Sequence, residues 1–226
     1  MDRIDVLTDG FVRLDAAMAD DLSVVNAARV SFGTRKETID ESDQGLIGFL
    51  MRERHGTPFE HNAFRFHVCC PIFVMREWIR HRIGSFNELS GRYVKITDAF
   101  YIPEAEDVRT QIGKPGAYSF EPVSRDIAER TRAAMQESYR ASYEAYEAML
   151  ADGVAREVAR SVLPVGIMTE FYWTVNARSV MNFLSLRNTQ HAQREIRRFA
   201  EAVEALFETR MPVTHRVFVE HGRKAP

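Results

Sequence analysis

Residues 64–84 read FRFHVCCPIFVMREWIRHRIG, and this stretch contains the patterns of two kinds of secondary structure. Its first six residues alternate apolar and polar side chains, which is typical of a β-strand with one buried face. Pro71 suits the first turn of a following helix, because its missing N–H needs no partner there. That helix should end near Gly84, and it should carry Phe73, Val74, Trp78 and Ile79. The stretch therefore predicts a strand that leads directly into a helix.

Short strands and helices are also predicted before this stretch. Apolar residues within 4–7 and 11–14 flank the turn Asp9-Gly10, which predicts two short strands. A helix should begin at residues 20–23. Apolar residues recur at positions 46, 47, 50 and 51, which is the pattern of one face of a helix from about Ser42 to Arg54.

The chain after residue 122 is predicted to be mostly helical. Ser124 is a suitable N-cap for a long helix that Gly153 closes. The buried stripe of this helix should consist of Ile127, Thr131, Met135, Tyr139, Tyr143, Tyr146 and Leu150. Aromatic and β-branched side chains at 171–175 predict a strand, and further helices are expected at residues 154–163, 179–186 and 193–209.

Helices outnumber strands in this interpretation, and the strands do not alternate with helices at regular βαβ spacing. We therefore expect an α+β fold in which long helices pack on a mostly antiparallel sheet, within a single domain spanning residues 1–226. Residues 103–122 break the pattern, because they contain three prolines and two glycines among few apolar side chains. They are predicted to form a long exposed loop that is mobile.

The composition is that of an ordinary globular protein. The chain has 226 residues, of which 45% are hydrophobic, and its formal net charge is −2. This charge argues against broad binding to nucleic acid, which usually needs a basic face. No apolar run approaches the roughly 18 residues of a membrane span. The N-terminus also lacks the basic-then-apolar order of a secretory signal, so we expect a cytoplasmic protein.

Several common kinds of site are excluded or disfavoured by the motifs. Neither a Rossmann glycine fingerprint nor a P-loop is present in the sequence. The adjacent Cys69 and Cys70 cannot form a disulfide framework or a four-ligand metal site by themselves, and we expect both to be structural. His55, His61 and His67 recur every six residues and could resemble metal ligands, but the first two should flank a turn. No metal site is predicted.

Residues 80–92, which read RHRIGSFNELSGR, concentrate hydrogen-bonding side chains at the predicted helix end. An arginine side chain offers a planar fork that grips a phosphate or a pyrimidine edge at two points. Ser85, Asn87 and Ser90 add neutral donors and acceptors, and the two glycines let the backbone approach a ligand closely. This segment is interpreted as a nucleotide-binding segment, with a solvated basic helix end as the alternative.

The spacing R-H-R-x-x-S-x-N-E-x-S-x-R in this segment resembles the signature of the flavin-dependent thymidylate synthases. Other stretches are similar to the same family, and they lie in order along the chain at residues 55–61, 156–164, 173–178 and 186–193. The resemblance implies reductive methylation of dUMP to dTMP, with methylenetetrahydrofolate as the one-carbon donor and FAD, reduced by NADPH, as the hydride carrier. It also implies a homotetramer whose active sites lie between subunits.

The resemblance also implies the residues of the site. FAD would contact His55, Thr57, Arg80, His81, Arg82, Glu88, Asn176, Arg178 and Asn182. The nucleotide dUMP would be held by Glu77, Arg80, Glu88, Leu89, Ser90, Gly91, Arg92, Arg160 and Arg187. Glu77 departs from the pattern, because some family members have glutamine there. A carboxylate at this position would repel phosphate unless it bonds the sugar or pairs with Arg80, one helical turn on.

The expected chemistry follows from the weak nucleophilicity of carbon 5 of uracil. One route adds an enzyme cysteine to the ring, and this chain has no convincing cysteine for that role. The alternative is a fixed guanidinium that stabilises negative charge as it develops on the ring, and Arg187 is the matching position. Ser90 should orient the substrate. Two other hypotheses are a non-catalytic nucleotide- or RNA-binding module and a flavin oxidoreductase without methyl transfer.

Overall fold

The computed structural model describes residues 2–226, and contacts within the chain group these residues into two compact units. The first unit comprises the chain up to Cys70 together with Val74–Glu88 and Glu170–Pro226. The second unit comprises Pro71–Phe73 and Leu89–Thr169. The single domain expected from the sequence stays a prediction.

The strands form one five-stranded sheet and one separate hairpin. In chain order they are β1 (Arg3–Val6), β2 (Gly10–Met18), β3 (Ala63–Pro71), β4 (Ser85–Glu88), β5 (Arg109–Lys114), β6 (Ala117–Pro122) and β7 (Met168–Asn176). The larger sheet has the order β1-β2-β3-β7-β4, and its β1–β2, β2–β3 and β4–β7 pairs are antiparallel. Val12 lies opposite both Ile4 and Val68, and the register of the β2–β3 pair shifts between Leu14 and Ala16.

The α-helices make up most of the remaining regular structure. They are α1 (Asp21–Arg29), α2 (Glu41–Arg52), α3 (Thr57–Glu60), α4 (Ile72–Trp78), α5 (Arg125–Ala151), α6 (Arg156–Ala159), α7 (Ala177–Arg187), α8 (Arg194–Arg210) and α9 (Pro212–Glu220). Side-chain hydrogen bonds cap the N-termini of several helices. Asp20 accepts a hydrogen bond from the Ser23 N–H, and Asn176 accepts one from the Ser179 N–H. None of these helices combines the length and apolar character that a membrane crossing requires.

Aromatic side chains fill the core of the first unit. Along β7 the buried Phe171, Trp173 and Val175 alternate with exposed neighbours, as a strand with one buried face requires. Trp173 packs on Phe66 of β3, with ring centroids 5.7 Å apart. Trp78 of α4 stacks on Phe183 of α7 at 4.7 Å. These contacts fix α4 and α7 to the sheet, and both helices carry predicted site residues.

The second unit is organised around the long helix α5. Its Tyr143 and Tyr146 are buried with Ala159 of α6. The Tyr143 hydroxyl donates to the Ile96 carbonyl at 3.0 Å, and the Tyr146 hydroxyl accepts from the Ile96 N–H at 3.1 Å. The two tyrosines therefore fix the backbone that follows the predicted nucleotide-binding segment.

The α+β class and most of the predicted elements are confirmed. The strands around Asp9-Gly10 and the long helix after Ser124 occur where the sequence places them. The buried stripe of α5 is only partly confirmed, because Tyr143 and Tyr146 are buried whereas Ile127 is 42% exposed. The short helix expected over 154–163 is a four-residue turn of α-helix followed by a 3-10 helix at Arg160–Val162.

The prediction that the helix after Pro71 continues to Gly84 is wrong. Strand β3 includes Pro71, and α4 ends at Trp78, where two tight turns follow. In these turns the Arg80 N–H bonds the Glu77 carbonyl and the His81 N–H bonds the Trp78 carbonyl. Residues 85–88 then extend to pair with β7, which places Phe86 opposite Trp173.

The prediction of a long loop at residues 103–122 is wrong for residues 109–122. Strands β5 and β6 form a hairpin whose pairing runs from Arg109 with Pro122 to Lys114 with Ala117. Pro115 and Gly116 make the connection, and Gly116 has a φ of +85°, as the third position of a type II turn requires. The expected exposure is confirmed from residue 110 to 122. The expected mobility stays a prediction.

Candidate active site

Arg187 is held by two residues of the α4 end in the first unit. Its Nε donates to His81 Nε2 at 3.0 Å. One terminal nitrogen donates to Glu77 Oε2 at 3.1 Å, and the other donates to the Glu77 carbonyl at 3.2 Å. A guanidinium has five N–H donors, so two remain after these three bonds. Glu77, His81 and Arg187 together form the Arg187 cluster.

The cluster forms because helices α4 and α7 end close to one another. Helix α7 begins directly after β7 with the Asn176 cap, and Arg187 is its last residue. Glu77 lies in the last turn of α4, and His81 lies three residues beyond the end of that helix. Phe183 meets the His81 ring edge to face at 5.0 Å, which fixes the orientation of the imidazole.

The protonation states of the cluster follow from burial and from the arginine. Burial, and then the positive charge of Arg187, lower the pKa of His81 to about 4. His81 is therefore neutral near pH 7, and its Nε2 is the acceptor. Burial raises the pKa of Glu77 above its usual range, while Arg187 opposes that rise. Glu77 pairs with Arg187 and not with Arg80, which bonds Glu77 only through its backbone N–H.

A second group of predicted residues lines a cavity of about 830 Å³. Helices α1, α2 and α3 form its walls, and His55, Thr57 and Arg178 are among its lining residues. The remaining lining residues are Ala27, Ala28, Arg29, Ser31, Phe32, Leu46, Phe49, Leu50, Arg54, Gly56, Pro58 and His61. The lining thus contains three arginines, two histidines and no carboxylate side chain. This composition suits an anionic ligand that also carries a ring.

Arg178 has a fixed position in this cavity. It donates from one terminal nitrogen to Glu60 Oε1 at 2.6 Å and from Nε to the Pro226 carbonyl at 2.8 Å. Gly56 packs directly on the guanidinium, because a Cβ at that position would lie 2.4 Å from Arg178 Nε. A glycine is therefore required at position 56 for Arg178 to lie where it does.

The other residues assigned to FAD lie elsewhere in the first unit. Arg80, His81, Arg82, Glu88, Asn176 and Asn182 are not among the lining residues of the cavity. Arg80, Arg82 and Asn182 are exposed. The Asn176 side chain serves as the cap of α7.

The predicted nucleotide residues 89–92 and Arg160 belong to the second unit. The Ser90 Oγ accepts from the Arg92 N–H at 3.3 Å, and the Ser90 carbonyl accepts from the N–H groups of Tyr93 and Val94. These bonds make a compact turn. A Cβ at the buried Gly91 would lie 3.2 Å from Arg160 Cδ, so the glycine allows that side chain to pack closely. Arg92 pairs with Glu157 at 3.1 Å, and Leu89 is 47% exposed.

The two cysteines are poor candidates for a nucleophile. Both are free and buried. Burial raises the pKa of Cys69 to about 11, and burial likewise raises the pKa of Cys70. Because the thiolate is the reactive form, neither thiol is activated. Over residues 2–226, no group of three or more His, Cys, Asp or Glu side chains could hold a metal ion.

Some residues of the cavity were not predicted from the sequence. Arg29, Arg54, Phe32 and Phe49 line it, but they lie outside the motifs. Arg29 is held by the fully buried Asp43 at 2.6 Å, and Lys36 also contacts that carboxylate. The sequence has one signal that could have indicated this site. It is a run of charged residues that places a carboxylate on the apolar face of a helix.

Comparisons with known proteins agree over nearly the whole chain. Residues 13–213 match the family described as thymidylate synthase complementing protein. A flavin-dependent thymidylate synthase from Kosmotoga olearia is 46% identical over 216 residues, which cover 96% of this chain and 93% of that protein. Another from Streptomyces coelicolor is 46% identical over 239 residues, which cover 99% and 96% of the two chains.

Solved structures also resemble this chain closely. The UMP/dUMP methylase PolB from Streptomyces cacaoi, bound with 5-Br dUMP, matches with a TM-score of 0.91 and 44% identity, over 99% of this chain and 100% of that one. The same methylase bound with 5-Br UMP matches with a TM-score of 0.90 and 43% identity, over 99% of both chains.

Proposed function

The chain belongs to the family of flavin-dependent thymidylate synthases, and from this membership we propose that it carries out the complete reductive methylation of dUMP to dTMP. Methylenetetrahydrofolate would donate the one-carbon unit, and NADPH would be the reductant. The observation that carries the proposal is the Arg187 cluster, in which a fixed guanidinium retains two N–H donors.

Arg187 stabilises the activated uracil in this proposal. A guanidinium keeps its charge throughout a reaction, so it acts as an electrostatic stabiliser and not as a proton acceptor. Its two remaining N–H groups suit the N3–C=O edge of the ring, where negative charge develops when carbon 5 becomes nucleophilic. Because the cluster holds the side chain in place beforehand, little reorganisation is needed when that charge develops.

Glu77 and His81 act as positioning residues for Arg187. Neutral His81 accepts from Nε without adding a second positive charge to the site. Glu77 accepts from both terminal nitrogens. This pairing explains how a carboxylate can occupy a position close to an anionic nucleotide, because its charge is directed at Arg187. Ser90 orients the nucleotide, and over residues 2–226 its hydroxyl contacts no general base.

The cavity fits FAD, and His55, Thr57 and Arg178 would hold it there. The support is the Gly56 contact, which fixes Arg178, and a lining that has cationic side chains and no carboxylate. Bound flavin supplies the hydride that converts the transferred one-carbon unit into a methyl group. Arg80, His81, Arg82, Glu88, Asn176 and Asn182 do not line this cavity, which supports a homotetramer in which neighbouring subunits complete each FAD site.

No cysteine acts as a nucleophile in the proposed reaction. The high pKa values of both thiols support this choice, since a buried neutral thiol cannot add to the uracil ring. Arg187 replaces covalent activation by electrostatic activation.

The test combines a spectrum with an isotope measurement. The purified protein should show a flavin spectrum, alone or after FAD is added, and NADPH should bleach it. Tritium at carbon 5 of dUMP should be released, and dTMP should form only when methylenetetrahydrofolate is present. NADPH oxidation without tritium release would indicate a flavin oxidoreductase, and nucleotide binding without a flavin spectrum would indicate a binding module.

A second candidate substrate is UMP. The structures that match this chain at 43% and 44% identity are of a UMP/dUMP methylase, bound with 5-Br UMP and with 5-Br dUMP. Parallel assays with UMP and dUMP at equal concentration decide between one nucleotide and both. Product from dUMP alone would restrict the function to thymidylate synthesis.

A further inference from the structure

Arg54 has a backbone conformation that disfavours its side chain. Its φ is +58°, in the left-handed region that glycine adopts without strain. The residue follows the end of α2, where the Arg54 N–H bonds the Met51 carbonyl and the His55 N–H bonds the Leu50 carbonyl. These two bonds form a Schellman motif, and its left-handed position is usually glycine. An arginine there is strained, and strain of this kind clusters at functional sites.

The Arg54 residue is part of the lining of the 830 Å³ cavity. The other two arginines of the lining are neutralised by protein carboxylates. Arg29 pairs with Asp43, and Arg178 pairs with Glu60. The Arg54 side chain makes no hydrogen bond or ion pair with any part of the chain that the structure describes. Within residues 2–226, Arg54 is therefore the arginine of this cavity whose charge no protein carboxylate offsets.

The cavity also offers surfaces for a ring. Phe32 and Phe49 are 83% and 42% exposed, although both are large apolar side chains. His55, which follows Arg54 in the sequence, meets the Phe49 ring edge to face at 5.6 Å. A ligand that combined a planar ring with an anionic group would cover these aromatic rings and neutralise the unpaired guanidinium.

We propose that Arg54 binds the anionic end of a ring-containing ligand in this cavity, through a phosphate or a carboxylate group. The two sources that the proposed function offers are the diphosphate of FAD and the glutamate tail of the folate. This inference rests on the proposed function for the identity of the ligand. The anion-binding part of the inference rests on an unpaired, strained arginine in a cavity whose lining has no carboxylate.

The decisive variant is Arg54→Gly, because strain and binding predict opposite effects. Glycine relieves the positive φ, so the melting temperature of the ligand-free protein should rise by about 2–4 °C. Loss of a charge-assisted contact should weaken binding of the anionic ligand about ten- to hundredfold. Arg54→Lys should restore part of the affinity. Arg35→Gly is the matched control, since it removes an 80% exposed arginine that does not line the cavity.

The assays distinguish the two sources of the anion. A higher FAD dissociation constant with an unchanged KM for folate triglutamate assigns Arg54 to the diphosphate. A higher KM for the triglutamate, with unchanged FAD binding and unchanged KM for the monoglutamate, assigns it to the folate tail. If both constants match those of Arg35→Gly, the proposal is overturned.

A separate arm keeps the result independent of the proposed function. Inorganic pyrophosphate should raise the melting temperature of the ligand-free wild-type protein more than that of Arg54→Gly. Equal stabilisation of the two proteins would contradict anion binding by Arg54 even if the enzyme makes dTMP. A difference between them would support it even if neither FAD nor folate binds.

Discussion

Arg187 should tolerate neither removal nor replacement by another cation. In Arg187→Ala, turnover with saturating dUMP should fall at least about a hundredfold, because losing one preorganised donor costs about 2.7–4 kcal/mol of barrier. Lysine should rescue poorly, since a point charge cannot make the planar two-point contact. Flavin reduction by NADPH should survive in both variants, and stopped-flow absorbance measures it separately from dTMP formation.

Ser90 gives the matched test of the nucleophile. Ser90→Ala should still form dTMP, with weaker dUMP binding as its main defect, because within residues 2–226 the serine Oγ bonds the Arg92 N–H and no general base. The measurement is single-turnover dTMP formation together with dUMP affinity. An enzyme that binds dUMP and reduces flavin normally, yet forms no product, would assign the nucleophile to Ser90 and contradict the role given to Arg187.

His81 should make the ligand-free protein sensitive to mild acid. Its pKa is lowered to about 4 in the folded protein, from 6.5, so only the unfolded chain binds a proton between these values. This contribution to stability is complete above pH 6.5 and is lost as pH falls towards 4. Urea unfolding across this range should show a steeper loss for the wild type than for His81→Gln, and parallel curves would mean that the imidazole is solvated.

The sequence predicts the chemistry of individual site residues better than it predicts their partners. Arginine, histidine and serine in one short segment indicate nucleotide binding from residue type alone. The partner of Glu77, however, is 110 residues away, and only folding brings the two side chains together. Local spacing suggested Arg80 as that partner, because a helix was expected to continue where the chain turns.

The β5–β6 hairpin should be the least protected regular element of the chain. Two strands without a covering layer are marginal in water, and residues 110–122 are all exposed. Hydrogen exchange of the ligand-free protein should therefore be faster in this hairpin than in α5 or in the five-stranded sheet. Protection comparable to that of β7 would show that another surface covers the hairpin.

Elements with a clear periodicity could be predicted, and elements defined by a distant partner could not. Helix α8 and strand β7 show their buried faces in the sequence itself. Strand β4 has four mostly exposed residues, and it exists because β7, which is more than 80 residues later, supplies its hydrogen bonds. The hairpin was missed for a related reason, since its few apolar residues are exposed and give no core-facing pattern.

The whole molecule should assemble before it binds FAD tightly. We expect a solution mass near four chains by light scattering, because residues assigned to FAD lie both inside and outside the cavity of one chain. Dilution that dissociates the assembly should release the flavin, and flavin fluorescence measures that release. A monomer that retains tightly bound FAD would contradict the shared site.

For the whole molecule, the sequence predicted the fold class and the family. It did not predict that the contacts divide the chain into two units. Amphipathic helices and alternating strands are enough to indicate an α+β protein. The two units interleave along the chain, since Pro71–Phe73 groups with residues far beyond it. Such grouping depends on contacts between distant segments, and no composition shift or linker marks its boundaries.

The aromatic core of the first unit has an optical consequence. The chain has two tryptophans, and both are fully buried there, edge to face at 5.4 Å. Neither indole N–H meets an acceptor within residues 2–226. Indoles shielded from water emit at short wavelength, and two so close together couple electronically. The tryptophan emission of this protein therefore reports on the first unit, without a label.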